Sequence, residues 1–565
     1  MFKNIFKKER ASGPVEEVIL EVTGMTCDHC ATSIEKLVSQ KKGVKKVEAS
    51  FPKASCACEF DPTLTSREEI IATINSTKNY RVKNEAPSNT YDNGSTHFDL
   101  IIIGGGSAAF SAAIKAEDLG LSVLMVNGGL PFGGTCVNVG CVPSKNLVRA
   151  AETVHHASHS NFAGIRPKGA DVDFGQVIRD KKQLVASLQQ KKYMDVVSDF
   201  NSLKMVEGWT EFEDGKTILV NSKDRYTALK FLIATGATTN VPAIEGLEET
   251  GYLTNTTLFD LEEQPESLTI MGAGYIGLEI AMAYNRLGTR VRIIEFTDRV
   301  LRTQTPDISE ALEKQMFSEG IEILPNFRAV KFERQGNGTV IHCKCPDGTF
   351  TKITEPGRVV VAAGIRPNTQ KLGADKIGLK LGPKGHILVN ERMETNLPHI
   401  FAAGDVTDTP AFVYTAAFEG KIAVENAFTA ATAGKADYSS LPWVIFTDPQ
   451  VAGAGLDEVQ AEAQSIPFDV SKLEMEDVPR AIAANDTRGF IKLIRHLETD
   501  RLLGARVVAP EGGELIQQLS MAIKYGITVK ELAESFYPYL TLGEGIKLAA
   551  ITFGKDVSKL SCCAS

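Results

Sequence analysis

Apolar positions recur in two rhythms along the chain, and the two mark different parts of it. Residues 15–22 alternate enough apolar with acidic character to read as a strand, and Ala31, Ile34, Leu37 and Val38 then keep the spacing of an amphipathic helix that Gly43 closes. Residues 44–51 and 54–60 read as two more strands, 68–75 as a second helix and 80–82 as a last short strand, giving a β-α-β-β-α-β order. Residues 84–96 carry Pro, Gly and polar side chains without periodicity, which predicts a flexible linker. Beyond it, the apolar runs 98–103 and Ser267–Met271 each end in glycines, and 359–361 is a third such run.

The glycines after those runs change the picture from strands to dinucleotide turns. Strand 98–103 enters Gly104-Gly105-Gly106-Ser107-Ala108-Ala109, in which Gly104, Gly106 and Ala109 occupy the fingerprint positions. Strand Ser267–Met271 enters Gly272-Ala273-Gly274-Tyr275-Ile276-Gly277, a second fingerprint. One such turn is a weak signal; two in a chain, with Thr235-Gly236 between them, are specific. Strand Arg290–Ile294 ends at Glu295, where an acidic side chain binds ribose hydroxyls and repels a 2′-phosphate; the nearby Arg299 and Arg302 argue for that phosphate.

Between the fingerprints lies Gly133-Gly134-Thr135-Cys136-Val137-Asn138-Val139-Gly140-Cys141-Val142-Pro143-Ser144-Lys145. Two cysteines four residues apart at a helix start lie near the positive end of the helix dipole, which lowers a thiol pKa. A structural disulfide and half of a metal site are the alternatives to a redox-active dithiol, and the fingerprint upstream weighs for the dithiol.

Length and charge narrow the class. The 565 residues predict three to five domains, and 43% hydrophobic with 23% charged residues describes a soluble globular chain. A net charge of −9 offers nothing to nucleic acid, no run reaches the roughly 18 apolar residues of a membrane helix, and residues 1–14 form a basic leader without a signal-peptide core. We expect a cytoplasmic protein without membrane insertion. The ten cysteines fall in close pairs: Cys27/Cys30, Cys56/Cys58, Cys136/Cys141, Cys343/Cys345 and Cys562/Cys563. In a reducing compartment such pairs point to metal or redox chemistry. Cys56 and Cys58 share a strand face, as Cys343 and Cys345 are expected to, and the sequence assigns neither pair a role beyond a structural one.

Gly24-Met25-Thr26-Cys27-Asp28-His29-Cys30 resembles the metal loop of heavy-metal-associated domains, which implies a ferredoxin-like fold for residues 15–83, with Cys27 and Cys30 as soft-metal ligands. The fingerprints and the C-x4-C stretch resemble the pyridine nucleotide-disulfide oxidoreductases, FAD enzymes that pass electrons from NAD(P)H to a cysteine pair. The fold that follows is α/β: an FAD-binding domain (97–240, resumed at 367–440), an NAD(P)-binding domain (241–366), and a dimerisation domain (441–565). The resemblance further implies FAD contacts from Thr135, Lys145, Thr235, Gly236 and Asp405, with Lys145 paired to Glu279 at the flavin and Cys141 as the flavin-side sulfur. Tyr275 is implied as the gate of the nicotinamide pocket. Asn127 stands where the family holds a ribose-binding Glu.

The C-terminal part departs from the disulfide-splitting members, which carry a His-x4-Glu dyad for the leaving thiol. Here Tyr539 stands at the His position, ahead of Glu544, and the chain ends in Cys562-Cys563. Tyr193, Tyr539 and the terminal pair resemble the members of the family that reduce Hg(II) to Hg(0). That resemblance implies a homodimer receiving Hg(II)-thiol complexes, including from a membrane mercury transporter, with Cys562/Cys563 relaying the metal to Cys136/Cys141 of the other subunit. NADPH is implied by the family, while Glu295 leaves NADH open. The alternatives are a reductase of an organic disulfide and a metal-binding chaperone with a silent reductase half.

Overall fold

The computed structural model describes residues 15–23, 25, 28–51, 53–77, 80–82, 95–429 and 434–556. Cys27, Cys562, Cys563, the leader 1–14 and most of the linker lie outside the described residues. The chain divides into two compact units, Met1–Asp92 and Asn93–Ser565.

In the first unit, strands Glu16–Thr23, Val44–Ser50, Ser55–Phe60 and Arg81–Val82 form an antiparallel sheet. The spatial order puts Val44–Ser50 at one edge, then Ser55–Phe60, Glu16–Thr23 and Arg81–Val82. Helices Asp28–Ser39 and Arg67–Asn75 complete the β-α-β-β-α-β order read from the sequence. The alternation of Ser55–Phe60 turns Cys56, Cys58 and Phe60 inward, against Ile34 and Val38 of the first helix and Ile70 and Ile74 of the second. Burial pushes the Cys56 thiol up to about 12 and that of Cys58 up to about 11, so both stay protonated.

Among its described residues the second unit holds a mixed sheet whose core strands are parallel, a four-stranded parallel sheet, a five-stranded antiparallel sheet and two smaller antiparallel ones. In the first, Leu203–Glu207, Val123–Asn127, His97–Ile103, Asp224–Ile233 and Ile400–Ala402 run parallel in that order. Helix Ser107–Asp118 buries Ala108, Ala109, Ala112, Ala113 and Ala116 and lies against helix Val413–Phe428. Their contact is close because both sides are small: a Cβ on Gly420 would stand 2.1 Å from the Ala108 carbonyl oxygen. The second sheet is parallel throughout, Glu322–Leu324, Arg290–Ile294, Ser267–Met271 and Arg358–Val361, with a three-stranded meander (Arg328–Gln335, Gly338–Lys344, Phe350–Glu355) beside it. Cys343 is buried in that meander, whereas Cys345 lies past the strand end in a turn, its amide bonded to the Thr349 carbonyl. The strand stops at Lys344, one residue short of Cys345, whose charge is still felt at the Cys343 thiol after the effect of burial.

The last sheet is antiparallel: Trp443–Ile445, Gln450–Gly455, Leu502–Ala509, Phe490–His496 and Phe468–Glu474, covered by helix Gly512–Lys524. Buried ion pairs tie it to the second sheet's layer. Arg286 bonds Glu319 at 2.6 Å and Asp448 at 2.9 Å, and Lys492 bonds Asp307 at 2.9 Å. Together with the apolar cluster running from Leu147 through Tyr284 to Val508, these contacts join the elements around the cysteine pair.

Candidate active site

Two consecutive left-handed glycines open the turn before the cysteines: Gly133 has φ +101° and Gly134 φ +67°. Only glycine adopts these angles cheaply, and a Cβ on Gly134 would stand 2.6 Å from the Cα of Gly106. The cysteine turn is thus pressed onto the first fingerprint. Cys136 then sits in the short helix Gly134–Asn138, and Cys141 is the first residue of helix Cys141–Ser158. Asn138 braces the turn, donating from its amide to the carbonyls of Pro131 at 3.0 Å and Gly134 at 2.9 Å.

Both cysteines are free thiols. Cys136 donates to Cys141; with help from the Lys145 cation this lowers the Cys141 pKa to about 7, against its burial. The same hydrogen bond, with burial, raises Cys136 far above the ordinary thiol range. Cys141 is accordingly the more acidic thiol of the pair, ionising near neutral pH, and Cys136 its proton-bearing partner. Lys145 Nζ donates to Glu279 Oε2 at 2.6 Å and lies 4.6 Å above the Phe446 ring. The other Glu279 oxygen accepts from the Phe446 amide at 3.0 Å.

Tyr193 packs edge-on against Phe110, with ring centres 5.0 Å apart, and its hydroxyl lies 3.2 Å from Ser107 Oγ. Its pKa is raised, first by burial and further by the two cysteines. Tyr539 is on the loop before helix Glu544–Ile551 and is 60% exposed. Cys30 lies in the first turn of helix Asp28–Ser39, in the other unit. Sequence reading missed Tyr414, which lies in the first turn of helix Val413–Phe428, donates to the Pro442 carbonyl at 2.5 Å, and has its pKa raised by burial and then by Tyr275 and Cys141. It also missed Phe446 and Gln304. No local motif marks any of the three, because their place depends on long-range packing.

The residues expected around FAD form a cradle that fits it. Gly104 at φ +131° lets the turn approach Ala234, whose carbonyl oxygen a Cβ would reach at 2.1 Å. Gly106 caps helix Ser107–Asp118 without a side-chain acceptor, so the first amides stay available to a pyrophosphate, with Ala109 fully buried behind them. Thr135 is exposed beside Cys136. Thr235 and Asn368 exchange hydrogen bonds at 2.9 Å next to Gly236, φ +65°. Burial, aided by Glu419, pushes the Asp405 carboxyl up to about 6. Asn127 turns its amide to the Leu130 carbonyl at 2.8 Å.

The second fingerprint has the same construction. A Cβ on Gly272 would meet the Ala362 oxygen at 2.5 Å and one on Gly277 the Gly272 oxygen at 2.2 Å, whereas Gly274 faces open space and caps helix Tyr275–Arg286 without a side-chain acceptor. Glu295 is buried and engaged from within: Oε2 accepts from the Ala273 amide at 2.7 Å, and Oε1 from the amide and hydroxyl of Thr297. Arg299 donates to Asp298 and to the Gln304 carbonyl, each at 3.1 Å, and Arg302 pairs with Asp298 from the exposed side at 2.9 Å.

Comparisons with known proteins agree with this arrangement. The pyridine nucleotide-disulphide oxidoreductase pattern matches residues 98–420, its dimerisation domain residues 441–550, and the heavy-metal-associated domain residues 19–81. Among curated relatives, the mercuric reductase of Lysinibacillus sphaericus is 38% identical over 96% of this chain and 99% of its own. That of Streptomyces lividans is 42% identical over 83% of this chain and 99% of its own. Among solved structures, the Cu(II) complex of the HOCl-induced flavoprotein disulfide reductase RclA from Escherichia coli superposes with a TM-score of 0.71 at 27% identity, covering 79% of this chain and 98% of that one. LpdA from Mycobacterium tuberculosis gives 0.71 at 26% identity, over 80% and 99%. With its two glycine cradles, its dithiol and an N-terminal metal-binding module, the chain belongs to the pyridine nucleotide-disulphide oxidoreductase family, within the mercuric reductases.

Proposed function

We propose that Cys136 and Cys141 are the dithiol on which this chain reduces Hg(II) to Hg(0), conferring mercury resistance. One observation carries the assignment: a thiolate-forming Cys141, with Cys136 as its hydrogen-bonding neighbour, sits on the turn pressed against the first glycine cradle. FAD and NAD(P)H, when bound, supply the two-electron path that ends at this site. The chain's own residues do the rest. Lys145 holds a cation beside the sulfurs, and Glu279 with the Phe446 amide fixes the position of that cation. Two thiolates suit the linear coordination of a soft ion. Hg(II) displaces the Cys136 proton to solvent as it is bound between the two sulfurs, takes the electron pair and departs as the neutral atom, leaving two thiolates of which Cys136 takes a proton back.

Tyr193, its hydroxyl anchored by Ser107, orders the metal beside the dithiol in this reading. Tyr539 joins it from the partner subunit of a homodimer. Cys27 and Cys30 collect the ion, from Hg(II)-thiol complexes or from a membrane transporter, and Cys562 and Cys563 relay it between subunits by thiolate exchange. Residues 15–83 thus gather, 97–440 reduce, and 441–565 pair the subunits and deliver. No helix among the described residues is long and apolar enough to cross a membrane, and the reading places the enzyme in the cytoplasm. Glu295 and Arg299 together set the nicotinamide preference. Reduction of an organic disulfide is not favoured, because Tyr539 lacks the proton-shuttling imidazole that such a reaction uses.

The test is oxidation of NADH and NADPH by the FAD-loaded protein, with and without Hg(II) in excess small thiol, while volatile mercury is trapped. Mercury-dependent oxidation that releases Hg(0), lost in Cys136→Ala and Cys141→Ala with FAD still bound, is expected. Unchanged turnover in either variant overturns the site assignment.

A further inference from the structure

Resting on the reading of residues 272–277 as the NAD(P)H turn, a second feature of that turn emerges at Gln304. Its Nε2 donates to the Tyr275 hydroxyl at 3.2 Å. Gln304 is only 9% exposed, and its Oε1 is buried without a partner among the described residues. With the amide turned the other way the roles exchange: one atom pairs with Tyr275 and the other stays unsatisfied.

The segment carrying Gln304 is held rigidly, and it is anchored to the turn it faces. The Leu301 amide donates to the Ala273 carbonyl at 3.1 Å, with Leu301 buried and left-handed at φ +47°. The Gln304 amide donates to Leu301 at 2.7 Å, and its carbonyl accepts from Arg299 at 3.1 Å. One residue on, Thr305 Oγ1 accepts from the buried Lys492 Nζ at 3.0 Å, which fixes the segment to the antiparallel sheet. Tyr275, by contrast, is held from its other side by a tilted ring contact with Trp443, 5.7 Å between centres. The backbone of Gln304 is fixed, while the Tyr275 ring, packed against the apolar cluster and Trp443, is held at its hydroxyl by this hydrogen bond.

We propose that Gln304 is a positioning residue, a latch whose amide holds Tyr275 across the nicotinamide end of the pocket until a nucleotide displaces the ring. The latched state is a compromise: it makes one part-buried hydrogen bond and leaves the other amide atom unpaired, so it is closed yet easily opened. A nucleotide that reaches this end must break the bond first, and its apparent affinity is lowered by the fraction of molecules that are latched. A net hydrogen bond of ordinary strength corresponds to about a five-fold effect. A nucleotide fragment that fills only the adenosine end does not meet Tyr275 and escapes the effect.

Titration calorimetry of the FAD-loaded full chain with NAD+, NADP+ and ADP-ribose tests this in wild type, Gln304→Leu, Tyr275→Phe and the double variant. Each single variant is expected to bind NAD+ and NADP+ about three- to five-fold more tightly, the double variant no more tightly than either single one, and ADP-ribose equally in all four. Unchanged or weaker binding of NAD+ and NADP+ in Gln304→Leu overturns the latch, as does additivity of the two changes, or a matching shift for ADP-ribose. Failure of the wild type to bind any of the three nucleotides removes instead the underlying assignment of the turn.

Discussion

Lys145 and Glu279, 134 positions apart in the chain, meet at 2.6 Å, and through this contact the cysteine helix is fastened to the second dinucleotide helix. The pair is charge-assisted and only partly exposed, so it orients the Lys145 cation toward Cys141. Its removal is felt at the sulfur.

Lys145→Met therefore raises the Cys141 pKa from about 7, because the cation that favours thiolate is gone while burial remains. The expected rise is roughly one pH unit. Alkylation of the reduced protein by iodoacetamide, followed across pH 5 to 10 with mass-spectrometric assignment, reads it directly. Below the pKa the thiol dominates and alkylation slows, so the variant is slower than wild type near pH 7 and equals it at high pH. An unmoved profile means that Lys145 does not tune this thiol.

Arg286 is the cation between two buried carboxylates, Glu319 and Asp448. Arg286→Met leaves Glu319 without its cation while Asp448 keeps Arg488 at 2.8 Å, and breaking a buried pair from one side costs about 3–5 kcal/mol. Denaturant unfolding of the FAD-loaded protein checks this, and a loss below about 1 kcal/mol shows the carboxylates to be solvated. Burial, and after it the Arg286 cation, hold His155 down to about 4, so this imidazole is neutral across the physiological range.

Glu295→Gln exchanges a carboxylate that accepts three internal hydrogen bonds for an amide that accepts them less well. Two effects are expected: a stability loss of about 1–3 kcal/mol, and a shift of the NADPH-to-NADH affinity ratio toward NADPH. Paired calorimetric titrations measure the ratio. If stability falls while the ratio stays put, Glu295 is a bracket for the turn and discrimination rests with Arg299 and Arg302.

Removal of residues 1–83 takes away the elements of the first compact unit and leaves the second, which carries Cys136, entire. Turnover with small Hg(II)-thiol complexes is expected to persist within about two-fold of the full chain. Loss appears only when mercury is scarce or protein-bound. Stopped-flow traces at limiting mercury compare the two, and complete inactivity of the shortened chain contradicts a purely gathering role.

Much of this was legible before any coordinates. The two glycine fingerprints announced the cradles, because a dinucleotide turn needs glycine at fixed offsets where a Cβ strikes a neighbouring carbonyl, as at Gly104 and Gly272. The β-α-β-β-α-β unit was readable because each of its elements carries its own periodicity. Gln304, Tyr414 and Phe446 were not readable, since each acts through a residue far away in the chain or through its backbone amide. Nor did the sequence reveal that Glu295 is turned inward, because its spacing is the same whichever way the carboxylate faces. The strand ends between Cys343 and Cys345, a boundary the alternation did not mark, and the two remain electrostatic neighbours across it.

The inward-facing Cys56 and Cys58 make mercury an unfolding agent for the unit that contains them. In the native state both thiols are sealed in the core and protonated. Any opening of the sheet exposes two sulfurs one residue apart to an ion that binds thiolates far more tightly than protons do. A ligand that prefers the open chain draws the equilibrium toward it by mass action, in proportion to the logarithm of its concentration. The free-ion level at which this unit keeps its shape is thus capped by its own folding stability, and rapid reduction downstream keeps the protein beneath that cap.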